Sequence, residues 1–118
     1  MRRVIIESPF AGTTPQEIAA NIDYARKCCA DAWLNDEDPF ASHLFYPQFL
    51  DDTKPEERKA GIERGYAHWA AAGAIVFYTD RGWSNGMKDA LVRAHSDGCA
   101  IEIRKLPNYA PDQHVSNK

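Results

Sequence analysis

The chain is poor in several features that would settle its class at once. It has three cysteines, Cys28, Cys29 and Cys99, in 118 residues. An odd count with an adjacent pair is no disulfide framework, and there is no C-x-x-C motif. They read as free thiols of a reducing compartment. No His, Cys or Asp spacing suggests a metal site, so neither metal nor cofactor is expected. Glycine numbers seven, and neither a Walker loop nor a G-x-G-x-x-G fingerprint occurs. No apolar run approaches transmembrane length. Met1-Arg2-Arg3, followed by a very short apolar run, is not a signal peptide. The expectation is a cytoplasmic chain with no membrane partner. Net charge is only -3, which argues against a nucleic-acid binder and its basic patch. A small anionic ligand stays open, because helix N-termini hold phosphate without lysine.

What is present is a globular composition, 44% hydrophobic and 26% charged, long enough to bury a core in one domain. That domain is expected over residues 1–106. Residues 107–118 are polar, contain Pro111, and read as a tail.

Strand and helix signals alternate along the chain. Val4-Ile5-Ile6 is a short β-branched run. Thr14-Pro15-Gln16-Glu17 carries a cap, a proline for the first helical position and a capping-box glutamate. The helix behind it, with Ile18, Ile22, Ala25, Cys29 and Ala32 on one face, should end near Asn35. Phe40–Leu44 is the expected second strand. Thr53-Lys54-Pro55-Glu56 repeats the capping logic and opens a helix with Ile62, Tyr66 and Trp69 on one face, stopping near Gly73. Ala74–Tyr78 is the strongest strand. Ser84 should cap a third helix with Met87, Leu91 and Ala94 inward and Gly98 at its end. Ala100–Ile103 is a final, edge strand. Strand–helix alternation predicts an α/β fold: a three-layer open parallel sheet of four or five strands, flavodoxin-like or Rossmann-like.

In such sheets ligands sit beyond the carboxyl ends of the strands. That selects the loops Glu7–Gly12, Ser42–Asp52 and Thr79–Met87. Ser84-Asn85-Gly86-Met87 follows a strand and opens a helix, so an anion could meet free N–H groups there, with Gly86 leaving room for approach. His43, after the second strand, is a candidate ligand contact or acid/base. Glycosidic chemistry needs a carboxylate for an oxocarbenium-like centre and an acid for the leaving group. The candidates are Glu7, Asp51, Asp52, Asp80 and Asp89. Asp80, just past the strongest strand, ranks first, with Asp89 and Glu7 beside it.

These motifs carry a resemblance. Val4–Gly12, Ala41-Ser42-His43-Leu44 with Tyr46, Asp51-Asp52, Pro55-Glu56-Glu57-Arg58, Tyr78-Thr79-Asp80 and Ser84–Met87 together look like a phage and bacterial domain family of unassigned function. That family is related to nucleoside 2-deoxyribosyltransferases. The resemblance spans about residues 4–106 and implies a nucleotide or nucleoside as partner, N-glycosidase or deoxyribosyltransferase chemistry, and a homo-oligomer whose pockets a neighbouring subunit completes. It implies ligand contacts at Ser8, Pro9, Phe10, Gly12, Ser42, His43, Tyr46, Asp80, Trp83, Ser84, Asn85, Gly86 and Met87. The related enzymes carry a catalytic glutamate four residues beyond the motif glycine. Here that position is Ala90, and the early aromatic is Phe10, without a hydroxyl. Two other readings stand beside the enzyme: a non-catalytic nucleotide-signal sensor or sequestering protein, and a protein-interaction module presenting Phe45, Tyr46, Phe49 and Trp83.

Overall fold

The computed structural model describes residues 1–110; residues 111–118 of the expected tail, with Pro111 and His114, lie outside them. Four strands, β1 (Arg3–Glu7), β2 (Asp38–Phe40), β3 (Ala74–Tyr78) and β4 (Ile101–Arg104), form one sheet in the order β2-β1-β3-β4. Every pairing is parallel, with Ile5 opposite Ile75 and Phe77 opposite Ile103. This is the flavodoxin-like order with four strands, as expected.

Side-chain alternation along the strands builds the three layers. Even-numbered Val4, Ile6, Val76 and Tyr78 face α1 (Pro15–Leu34) and meet its Tyr24, Cys28 and Ala32. Odd-numbered Ile5, Ile75 and Phe77 face the other side. There they meet Trp69, in the 3₁₀ turn after α3 (Pro55–Ala67), and Met87, Ala90 and Ala94 of α4 (Asn85–Ser96). The central strand β3 is buried along its whole length, so it is apolar at every position.

The Thr14 capping box is formed in full, and Ser84 Oγ accepts the Met87 N–H at 3.2 Å. Three expectations are corrected. The second strand is Asp38–Phe40, and Ser42–Phe45 is a short helix, α2. An edge strand tolerates Pro39 because its unpaired side needs no N–H. Lys54, not Thr53, is the N-cap of α3 and makes no side-chain cap; Thr53 instead donates its N–H and hydroxyl to Asp51 Oδ1. On α3, Ile62 is exposed while Gly61 and Gly65 are buried. A Cβ at Gly65 would stand 2.9 Å from Ser42 Cβ, so the bare glycine lets α3 close on α2.

Beyond β4 the chain stays packed: Leu106 and Tyr109 lie against the α1-side core. The cysteines are free, and burial raises the Cys28 thiol and pushes Cys29 up to about 11. No helix among the described residues is long and apolar enough to cross a membrane.

Candidate functional site

A cavity of about 590 Å³ opens at the carboxyl ends of the strands, on the α3/α4 side of the sheet. Its floor carries Glu7 and Ser8 from the end of β1. Ser42, His43 and Tyr46 come from α2 and the turn after it, and Tyr66 and Trp69 from α3 and its extension. Ser84, Asn85, Gly86, Met87 and Asp89 close it along the start of α4. Phe10 completes the aromatic part of the wall. The three loops selected from the sequence therefore do meet at one place.

Glu7 is the chemically distinctive group. It pairs in register with Phe77, so it shares the odd-numbered face that looks toward α3 and α4. Among the described residues no hydrogen bond or ion pair holds its carboxyl. Burial alone pushes it up to about 8, because a charged carboxylate in low dielectric is disfavoured when no partner compensates. No fully enclosed side-chain oxygen or nitrogen among the described residues lacks a partner, so the Glu7 oxygens reach the cavity. At neutral pH Glu7 is therefore largely a carboxylic acid.

Beside it, Ser8 Oγ and His43 Nε2 share a hydrogen bond of 2.8 Å. Burial pushes His43 down to about 4, so the imidazole is neutral at physiological pH and serves as a hydrogen-bonding wall. The Phe10 ring meets it edge-on at 6.2 Å. On the opposite side Tyr46 and His68 share a 3.0 Å hydrogen bond.

Asp80, the first-ranked carboxylate, faces the other way. Its number has the parity of Val76 and Tyr78, so it continues toward α1. Asp80 Oδ2 accepts from Tyr24 Oη at 2.7 Å and from the Leu106 N–H at 2.9 Å. This is a structural tie joining α1 to the chain beyond β4. Pro9 and Gly12 share a separate, shallower depression with Asp80, Asn21 and Arg81. A Cβ at Gly12 would stand 2.7 Å from Glu17 Cβ, so the bare glycine makes room for the start of α1. Trp83 stacks on Phe77 at 5.3 Å and is not among the cavity residues. Phe45, Tyr46 and Phe49 form one aromatic group, with Phe45 and Phe49 exposed, and Trp83 stands apart from it. Tyr66, Trp69, Gly61, Gly65, Glu57 and Arg58 line the cavity without having been expected there. The pair Gly61-x-x-x-Gly65 next to Tyr66 was the available signal, since glycines one turn apart in a helix mark a close approach.

Residues 2–104 match the family described as a domain of unknown function (DUF7768). The chain belongs to this family. No curated protein matches it by sequence. Among solved structures, the DUF7768 chain is similar to a 2-deoxyribosyltransferase from the psychrotolerant bacterium Bacillus psychrosaccharolyticus. The TM-score is 0.62 at 13% identity, over 98% of this chain and 80% of that one. At that identity the likeness shows a shared fold.

The position implied for a catalytic glutamate, Ala90, is 2% exposed and packed in the core beneath α4. Its neighbour Asp89, about 100° further round the helix, is exposed and borders the cavity. In this DUF7768 domain the carboxyl on the cavity floor therefore comes from β1.

Gly86 offers a direct check on the site. A Cβ there would meet only Ser84 Oγ, at 3.9 Å, so a larger side chain at this cavity-lining position meets open space and not protein. Gly86→Val is expected to abolish ligand binding, read by calorimetry. It should change stability by only about 1 kcal/mol, read by thermal melting.

Proposed function

We propose that the cavity binds a nucleoside or nucleotide and breaks its N-glycosidic bond, by hydrolysis or by transfer to another base, with Glu7 as the acid. The observation that carries this reading is the Glu7 carboxyl on the cavity floor, without a hydrogen-bond or ion-pair partner among the described residues. The volume suits a small-molecule site. Phe10, Tyr46, Tyr66 and Trp69 supply flat apolar surface for a base. As the C1′–N bond breaks, its electron pair goes to the base nitrogen and the Glu7 proton follows it. The carboxylate left behind faces the positive charge developing on the sugar, which is the charge arrangement glycosidic chemistry requires. Water, or a second base, then adds at C1′ and returns a proton to Glu7.

A non-catalytic binder is the second reading, and the burial of Ala90 favours it, because the helix position used by the related enzymes holds no carboxyl. One experiment separates the two. The protein is incubated with a panel of ribonucleosides, 2′-deoxynucleosides and their 5′-monophosphates, and free base is followed by chromatography. Release above buffer for at least one compound is the expected result. Saturable binding without release selects the binder. Neither binding nor release removes both readings.

A further inference from the structure

Besides the buried Glu7 carboxyl, the acidic side chains around the cavity are Asp52, Glu57 and Asp89, and the one cation among the described residues that line it is Arg58. Arg58 is already committed: its Nη1 lies 2.9 Å from Asp52 Oδ2. Glu57 accepts the Asp51 N–H at 2.8 Å and faces Lys54 at 3.6 Å. The cavity thus offers an anion no uncommitted cationic side chain among the described residues that line it. Its strongest invitation to an anion is the start of α4, where the N–H groups of Asn85 and Gly86 precede the first intrahelical bonds. But Asn85 and Asp89 are four residues apart on one helical face, so their side chains are neighbours, about 5–6 Å between Cβ atoms. Both border the cavity, and no hydrogen bond or ion pair occupies Asp89 among the described residues. An anion seated on the α4 N-terminus would have this carboxylate one turn away.

From this we infer that Asp89 is a specificity-determining residue that excludes the phosphate group, so that the cavity takes unphosphorylated nucleosides and rejects their 5′-monophosphates. The inference rests on the nucleoside reading above and names which member of that class enters. It also alters the expectation for Ser84–Met87. The free N–H groups there receive a neutral oxygen, such as a sugar hydroxyl or base carbonyl, and the acidic rim repels a dianion. Asp89 acts through space on the phosphate and takes no part in bond cleavage.

The test is calorimetry with the nucleosides of the panel and their 5′-monophosphates, on the intact chain and on Asp89→Asn and Asp89→Arg. Asp89 is exposed, so both variants should fold. The intact chain is expected to favour the nucleoside at least about tenfold, a difference that shrinks as salt is raised from about 0.01 to 0.15 M. Asp89→Asn should cut that ratio several-fold, and Asp89→Arg should bring it to or below unity. A purely structural Asp89 would leave both the ratio and its salt dependence unchanged, and that result overturns the inference. Equal or tighter binding of monophosphates by the intact chain also overturns it, while leaving the nucleotide-binding reading standing. If no compound of either series binds, the underlying reading falls and the inference with it.

Discussion

Glu7→Gln is expected to lower base release on the order of 10³-fold while keeping nucleoside binding and making the protein more stable at alkaline pH. The first effect follows from losing the proton that the departing base needs. The second follows from the same burial. A carboxyl held near 8 in the folded protein has an ordinary value near 4.3 when unfolded. Below about pH 4 both states are protonated and the burial costs nothing. As pH rises toward about 8, the unfolded chain has released its proton and the folded one has not, so folding stability falls across that window. Glutamine carries no such penalty. The variant should therefore match the intact protein at pH 4 and exceed it at pH 9 by a few kcal/mol, since each tenfold difference in proton affinity between the two states is worth about 1.4 kcal/mol. Urea denaturation at the two pH values reads this difference directly. A residue serving only the fold would destabilise on substitution. Loss of activity with gain of stability is the signature of a group placed for chemistry. Activity of the intact protein should also fade above about pH 8, where Glu7 gives up its proton.

Glu37→Ala is expected to cost about 3 kcal/mol and lower the melting temperature by about 10 °C or more. Glu37 is 7% exposed. It accepts two bonds of 2.7 Å from the Arg104 guanidinium and one of 3.0 Å from Arg2 Nη2. The Arg104 and Arg2 guanidiniums hold its carboxyl below the usual range. Its contribution is thus present above the ordinary carboxylate value and lost as pH falls below it. Glu102 joins the same cluster, bonding Arg104 at 2.7 Å. Glu102 and Arg104 extend the even-numbered face along β4, at the sheet edge. Long paired side chains fill out this face there, beside the layer built by α1. Removing Glu37 leaves the Arg104 guanidinium without its main partner and Arg2 with Glu102 alone, which is why the loss should be large. A melting shift under about 3 °C would show that the cluster is solvated and incidental.

Much of the fold was legible because its strongest signals are local. Ala74–Tyr78 is apolar at every position, as a central parallel strand must be, and Thr14 with Glu17 marks a helix start without ambiguity. The second strand was misplaced because Asp38-Pro39-Phe40 has neither alternation nor β-branched residues. It is a strand only because β1 offers it a partner, a tertiary effect that no local pattern records. The cap of α3 was misassigned because Asp51 competes for the Thr53 hydroxyl.

The site was legible at the level of loops, since parallel strands bring their carboxyl ends together. Choosing among carboxylates needed one further step. Along β3 the even positions face α1, and counting on by two places Asp80 there as well. Glu7, in register with Phe77, falls on the cavity side. Tyr66 and Trp69 were visible as an apolar stripe, but a stripe alone does not distinguish a core from a pocket wall.

The central claim, that a nucleoside binds over Glu7 at the carboxyl edge of the sheet, is tested most directly by backbone amide chemical-shift mapping. The isotope-labelled protein is titrated with the compound that the base-release panel selects, at pH 7. The account predicts saturable shifts at Glu7, Ser8, His43, Tyr66 and Asn85–Met87, absent in Gly86→Val, with the Asp80–Gly82 turn unmoved. Shifts centred on Asp80, Arg81 and Asn21, with Glu7 and Tyr66 silent, would place the ligand in the shallow depression on the α1 side and contradict it.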